Sequence, residues 1–363
     1  MSAALRDPIL PWLDRLTDRQ ELGSLLRDLW WLREPRPASA AVRLRWKPGA
    51  NMRIGVVLDT ATGPAAVLAA GFAARSRAKS DRLAALATQG VPVHRDHDVV
   101  VVPAAADPAL SGLVPDVSPL TYNPARRWVG RVDGVVLKVH AAAPPVGVGR
   151  LLTDPGRRLG AHLPGAEVRT GGRVVRTRWV PGRPPTPVDS PAIREALRAL
   201  HAASPPAGLP VLDAPTILSA VQRAGDAVVH ALPGERARIA TLSGALRRAI
   251  HAGRWPAPHG LVHGDLSPDQ VVVAADGRAN LLDLDRAALG PAGWDGATWT
   301  MAQLATGRRP LPAPTATEPV LLLAAALLRA PEPFRRLRPA WPALTRSVLD
   351  AAARAVDSLG GST

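Results

Sequence analysis

The sequence predicts an α+β protein of two packed lobes. Three observations carry this. β-Prone runs with turn signals dominate up to about residue 180, helical periodicity dominates after the Pro-rich joint GRPPTP, and one strand pair, 270–274 with 279–283, interrupts the helices. Strands gathered first and helices later build two different layers, not an alternating βα sheet. A cleft between such lobes is a favoured place for a ligand.

The elements follow in order. Leu22, Leu25, Leu26, Leu29 and Trp30 recur near i, i+3, i+4 within residues 8–33 and predict an amphipathic helix packed on a neighbour. The run AVRLRWKPGANMRIGVVLDT, 41–60, predicts two strands around the Pro48-Gly49 turn. A helix is expected over about 64–88 and a strand over 98–102, so residues 1–112 are expected as a small region of their own. Asp133-Gly134, between β-prone runs at 127–132 and 135–140, predicts a tight hairpin, because both turn residues must tolerate positive φ. After a Gly- and Pro-rich stretch, AEVRT and RVVRTRWV predict two more strands that close on Pro181-Gly182. Helices are then expected at 191–203, about 214–231 and 235–252, followed by a hairpin about Asp276-Gly277 and helices to the end.

Composition narrows the classes of function. At 363 residues the chain exceeds what one core usually fills, and 47% hydrophobic residues exclude a disordered chain. The longest strongly apolar run, PVLLLAAALL at 319–328, is shorter than the roughly 18 residues a membrane span needs, so no membrane partner is expected. Arg6, Asp7, Asp14 and Arg15 interrupt the place of a secretory core, and the lack of cysteine excludes disulfides and thiolate chemistry. A cytoplasmic address is expected. The formal charge is +15, but only three of the 45 basic residues are lysines and the arginines spread along the whole chain. That pattern reads as a basic solvated surface, so nucleic acid is not an expected partner.

The chemistry concentrates in LVHGDLSPDQVVV and the strand after it. His263, Asp265, Gln270, Asp283 and Asp285 lie close together, and the hairpin is expected to bring residue 270 beside 283. An amide oxygen and a carboxylate oxygen meeting there make a hard-cation site suited to Mg²⁺ with bound phosphates. Asp265, on the turn before, is placed to take or orient a hydroxyl proton. Each residue alone has an ordinary reading as a turn cap or a backbone hydrogen-bonding group. The set at these spacings is what singles it out.

HGDLSPDQVVVAADGRANLLDLD resembles the signature of the aminoglycoside phosphotransferase and choline kinase family, small-molecule relatives of protein kinases. That signature is His-Gly-Asp, a metal-binding amide five residues after the Asp, and a metal-binding Asp thirteen further on. The resemblance implies a protein-kinase-like two-lobed fold, with a β-rich N-lobe over 113–182 and a helical C-lobe over 183–363. Residues 1–112 would be an extra N-terminal cap, as in the maltokinase-like branch. It implies ATP and Mg²⁺ as cofactors and a hydroxyl-bearing small molecule as acceptor. Asp265 would be the catalytic base or orienting carboxylate, Gln270 and Asp283 the Mg²⁺ ligands, and Asp295 the structural carboxylate that steadies the loop.

Further residues follow from the same resemblance. Lys138, in VVLKVH, is similar to the third-strand lysine that pairs with nucleotide phosphates. YNPARRW would be the loop over those phosphates, with Arg126 and Arg127 as donors. TRWVPG would join the lobes, with the backbone of Trp179 and Val180 at the adenine edge, and ALRALHAA resembles the helix placed after it.

The sequence departs from the pattern twice. Gln stands at 270 for the usual Asn, and the helix glutamate that pairs with the lysine has no clear counterpart, Asp154 being the one acid between Lys138 and the next strand. A catalytically weak or inactive kinase-like binding protein is therefore one alternative. A metal-dependent glycosyltransferase using Asp283-Leu284-Asp285 is another, and a metal hydrolase using His259 and His263 on one helical face is a third. Sugar-like compounds, nucleosides, amino alcohols and antibiotics are the candidate acceptors, and the scarcity of clustered acids in the helical half favours a neutral or sugar-like hydroxyl compound over a cationic aminoglycoside.

Overall fold

The computed structural model describes residues 7–110, 112–153, 159, 162–308 and 310–360. Asp154 lies outside the described residues. The chain divides into two compact units. The first takes residues 1–143, 169–176 and 335–339, and the second takes the rest.

In the first unit, helices α1 (Leu13–Thr17) and α2 (Arg19–Arg27) meet at Asp18, whose carboxylate accepts from the Gln20 and Glu21 N–H groups and so caps α2. Of the expected apolar stripe, Leu22, Leu25, Leu26 and Leu29 are buried, but Trp30 falls past the helix end and is 73% exposed. Five antiparallel strands follow, β1 (Arg36–Lys47), β2 (Asn51–Thr60), β3 (Gly63–Phe72), β4 (His94–Asp96) and β5 (Val99–Pro103), in the order β1-β2-β3-β5-β4.

The helix expected over 64–88 is mostly not one. Residues 63–72 form β3, and only α3 (Arg77–Ala84) is α-helical in that stretch. The alanine-rich run favours a helix locally, but tertiary pairing overrides that preference. β3 sits between β2 and β5, with Leu68, Ala70 and Phe72 on the face that meets Val100 and Val102 in the core. Its other face must stay thin: a Cβ on Gly71 would lie 2.4 Å from the Trp12 ring.

A second sheet holds β6 (Ser118–Asn123), β7 (Arg127–Val132), β8 (Val135–His140), β9 (Ala166–Arg169) and β10 (Val174–Arg178), in the order β6-β7-β8-β10-β9. The Asp133-Gly134 hairpin stands as expected, with φ of 46° and 74° at the two turn residues. Tyr122, Trp128 and Val139 join Val57, Leu68 and Val102 in one core, so the stretch expected as a cap, 1–112, shares its interior with the 118–140 strands.

The second unit is mainly helical. It contains α4 (Val146–Thr153), α5 (Ser190–His201), α6 (Ala214–Ala231), α7 (Arg236–His251), α8 (Trp294–Thr306), α9 (Pro319–Arg329), the short α10 (Glu332–Arg335) at its edge, and α11 (Trp341–Gly360). α9 is apolar all round because it is the central helix, with Leu321 and Leu323 through Leu327 fully buried among α6, α7, α8 and α11. Among the described residues no helix is long and apolar enough to cross a membrane.

Two short ladders carry the polar loops of this unit. β11 (Gly260–Val262) pairs with β14 (Ala288–Gly290), and β12 (Val271–Val273) pairs with β13 (Ala279–Leu281), both antiparallel. The second is the hairpin expected about Asp276-Gly277. The chain thus has strands early and helices late, as the sequence predicts.

Candidate active site

β11 and β14 pair in register Gly260↔Gly290, Leu261↔Leu289 and Val262↔Ala288, and β11 delivers the chain into the turn His263-Gly264-Asp265. Asp295, in the first turn of α8, holds that turn and is fully buried. Its Oδ2 accepts from the His263 N–H (2.9 Å) and from Nε2 of His201 on α5 (2.9 Å), and its Oδ1 accepts from the Gly264 N–H (3.0 Å). Nε1 of Trp294 donates to the Gly264 carbonyl at 3.1 Å. Both main-chain polar groups of Gly264 are therefore satisfied from α8, as buried groups require. Only glycine fits here: φ is +82°, and a Cβ would stand 2.0 Å from the Arg286 carbonyl oxygen.

His263 couples the turn to the hairpin. Its ring is buried, and Nε2 donates to the Leu282 carbonyl at 2.7 Å, just past the end of β13. The ladder runs Val271↔Leu281 and continues through a Leu282 N–H bond to the Gln270 carbonyl at 2.8 Å. Gln270 thus lies opposite Leu282, one residue short of the expected pairing with 283. Asp283 follows at once in the left-handed region, with φ +62° and ψ 48°, and opens the turn Leu284–Arg286. A non-glycine residue held there costs of order 1 kcal/mol, which surrounding structure must sustain.

The donor atoms at the hairpin's end suit a hard cation. Oε1 of Gln270 is buried and has no hydrogen-bond partner among the described residues. A buried acceptor left without a donor costs about 1–3 kcal/mol, and a cation is the other partner an amide oxygen can take. Among the described residues there is no cluster of three or more His, Asp or Glu side chains that could hold a metal by themselves. The buried amide oxygen of Gln270 is a donor that fits Mg²⁺, an ion that keeps several waters and takes few protein ligands.

Asp265 is more engaged than the sequence suggests. Its Oδ1 lies 2.5 Å from Nη2 of Arg329, the last residue of α9, and the same nitrogen donates to the Asp265 carbonyl at 3.1 Å. Nε of Arg286 lies 3.6 Å from Oδ2. The Arg329 side chain is 11% exposed and that of Asp265 21%. Neither arginine is found by sequence reasoning. The available signal was the single charge closing an otherwise apolar helix, PVLLLAAALLR.

The first unit carries the residues expected to meet nucleotide phosphates. Lys138 is half-buried on β8, opposite Val129. Arg126 and Arg127 follow the turn between β6 and β7, where Ala125 has φ +53°. That turn is fixed from behind. The buried Asp107 accepts from the Ala125 N–H (2.6 Å) and the Tyr122 hydroxyl (2.7 Å), while Nη1 of Arg45 donates to the carbonyls of Ala125 (2.8 Å) and Pro124 (3.2 Å). Burial, reinforced by the Asp107 carboxylate, pushes the Tyr122 phenol well above its ordinary pKa. Burial and the neighbouring Arg53 lower the pKa of Arg45.

Trp179 and Val180, in the second unit, line a cavity of about 800 Å³ together with Leu163, Arg178, Ala274 and Arg278. Its wall is stiffened where Arg183 pairs with Val273 through two main-chain hydrogen bonds (3.0 and 2.9 Å). Arg183 also clamps Asp189 with two contacts of 2.7 Å and holds that carboxyl well below the usual carboxylate range.

The rival constellations do not assemble. His259 is exposed, and the chain from it to His263 is the strand β11, so the two do not share a helical face. Asp283-Leu284-Asp285 forms a left-handed residue and a 3₁₀ turn with Leu284 buried, beside antiparallel ladders rather than an alternating βα sheet.

The chain matches the family described as "Phosphotransferase enzyme family" over residues 68–337. No curated protein matches it. Among solved structures it is similar to a choline/ethanolamine kinase family protein from Mesorhizobium loti, with 16% identity over 69% of this chain and 92% of that one, at a TM-score of 0.47. Choline kinase LicA from Streptococcus pneumoniae is 11% identical over 66% and 92%, with a TM-score of 0.45. A thermostable mutant of aminoglycoside phosphotransferase APH(4)-Ia is 18% identical over 69% and 96%, with a TM-score of 0.46.

Proposed function

The chain belongs to the phosphotransferase enzyme family, and from that premise we propose that it transfers the γ-phosphoryl group of Mg-ATP to a hydroxyl of a small molecule. The observation that carries this reading is the His263-Gly264-Asp265 turn, pinned by a fully buried Asp295 and tied through His263 to the hairpin that ends in Gln270 and Asp283.

In this reading Asp265 accepts or orients the proton of the attacking hydroxyl, so that the alcohol oxygen aligns with the γ-phosphorus. Phosphoryl transfer asks the protein mainly for position and charge compensation. Gln270 Oε1 and an Asp283 carboxylate oxygen would hold Mg²⁺, and the ion would supply charge neutralisation for the phosphate oxygens. Lys138, Arg126 and Arg127 supply donors for the phosphates, and Trp179 and Val180 meet the base. Residues 1–112 and the 118–140 strands, which share one core, would together carry the nucleotide phosphates, and the later helical residues would form the catalytic and acceptor side.

A second reading has one observation in its favour. Arg329 already occupies the Asp265 carboxylate, which suits a protein that binds nucleotide without turning it over. Titration calorimetry with ATP, with and without Mg²⁺, is paired with an ADP-release assay on a panel of sugars, nucleosides, amino alcohols and antibiotics. The proposal expects Mg-dependent ATP binding and ADP release with at least one acceptor class. Binding with no release across the panel favours the second reading, and preferential binding of UDP-sugars removes the kinase.

A further inference from the structure

The turn between β6 and β7 has its own main chain fully engaged. Pro124 has no N–H. The Ala125 N–H donates to Oδ2 of Asp107 (2.6 Å), and the Arg126 N–H donates to the Asn123 carbonyl (3.1 Å). The carbonyls that follow are taken as well. Nη1 of Arg45 donates to those of Pro124 (3.2 Å) and Ala125 (2.8 Å), and the Ala141 N–H donates to that of Arg126 (2.8 Å). Every carbonyl from 123 to 126 thus has a donor.

The turn does not hold this shape by itself. Ala125 sits at φ +53°, where a residue with a side chain is strained unless its surroundings hold it. The groups that hold it come from far back in the chain. Arg45 lies on β1, and Asp107, 0% exposed, also accepts from the Ala109 N–H (3.1 Å) and the Tyr122 hydroxyl (2.7 Å). β2 makes room with a glycine: a Cβ on Gly55 would lie 2.8 Å from Cδ of Pro124 and from the Tyr122 carbonyl oxygen. An anion near a turn is repelled by unpaired carbonyl oxygens and attracted by donors held in fixed positions.

We propose that Asp107 and Arg45 are positioning residues for phosphate recognition: they hold the turn so that none of its carbonyl oxygens is left to face an anion and the main chain of Arg126 is tied on both sides. The inference rests on the phosphotransferase reading, in which this turn lies over the nucleotide phosphates. Both residues act through the turn rather than on the nucleotide. Loss of either should therefore weaken binding of the phosphates and spare binding of the base.

Two ligands that differ by the phosphates test this on the full chain. Calorimetry gives the Kd of Mg-ATP and of adenosine for wild type, D107A, R45M, R45K and L26A, and the readout is the ratio of the two constants. L26A is the stability control, since it empties core volume in the same unit without removing a hydrogen bond to the turn. R45M leaves Asp107 in place and carries the test should D107A fail to fold. The preference for Mg-ATP should fall about tenfold in D107A and R45M, stay at the wild-type value in L26A, and recover in part in R45K, whose ammonium can still donate to the two carbonyls. An undiminished preference in D107A and R45M overturns the proposal and leaves the phosphotransferase reading standing. An equal fall in L26A also overturns it, because the ratio then follows stability alone. Wild type that binds neither ligand, or binds both equally, removes the phosphate role of the turn together with the reading on which the proposal rests.

Discussion

Asp295→Asn isolates the anchor of the catalytic turn. The wild-type carboxylate is 0% exposed and accepts three hydrogen bonds, two on Oδ2 and one on Oδ1. Asparagine keeps the shape but replaces one oxygen by an NH₂ group. If its oxygen takes the Oδ2 position, His201 and His263 keep their acceptor and the NH₂ faces the Gly264 N–H, donor against donor. Turned the other way, two bonds are lost instead of one. A hydrogen bond to a charged group contributes about 1.5–3 kcal/mol, and a buried donor left unpaired costs about 1–3 kcal/mol more. The expected destabilisation is therefore about 3–5 kcal/mol, measured by urea unfolding followed by tryptophan fluorescence and by circular dichroism. Turnover should fall as well, because Gly264 precedes Asp265. A loss below about 1 kcal/mol with normal turnover would refute the view that this carboxylate holds the loop.

Three further outcomes follow from the same geometry. Gly264→Ala should cost about 3 kcal/mol or more, because a positive φ and a 2.0 Å approach to the Arg286 carbonyl act together, and a melt within 1 kcal/mol of wild type would contradict that packing. Asp283→Asn keeps a residue type that tolerates the left-handed region and should raise the Mg²⁺ concentration for half-maximal activity about tenfold or more; an unchanged requirement argues against Asp283 as a ligand. The Asp189 carboxyl is held low by Arg183 and by the Thr186 N–H and hydroxyl. Its contribution is therefore present above the ordinary carboxylate value of about 3.9 and is lost as pH falls below it. Asp189→Asn should cost about 1 kcal/mol at pH 7, and the gap to wild type should close below about pH 4. A constant gap down to pH 2.5 would contradict the pairing.

Much of the fold was legible where local chemistry decides it. Asp133-Gly134 and Asp276-Gly277 fixed two hairpins because few residues tolerate those turns. The long helices α5, α6 and α7 showed in their periodicity, and α2 in the spacing of Leu22, Leu25 and Leu26. β3 was not legible, since its alanines favour a helix and only its neighbours make it a central strand. β11 and β14 are three residues each, too short to show a period. α4 contains two glycines that hide its helical signal. The candidate site was legible as a set of spacings, but its registration was not. Gln270 pairs with 282 rather than 283, and the arginines on Asp265 arrive from positions 21 and 64 residues further along the chain. Spacing within one loop cannot reveal a partner delivered by a distant helix.

The most direct test of the account is transfer of the γ-phosphoryl group by Asp265→Asn, read beside its affinity for Mg-ATP. The account predicts that transfer to the acceptor falls about 100-fold or more while the Kd for Mg-ATP stays within about twofold of wild type. Transfer at the wild-type rate in this variant would contradict it.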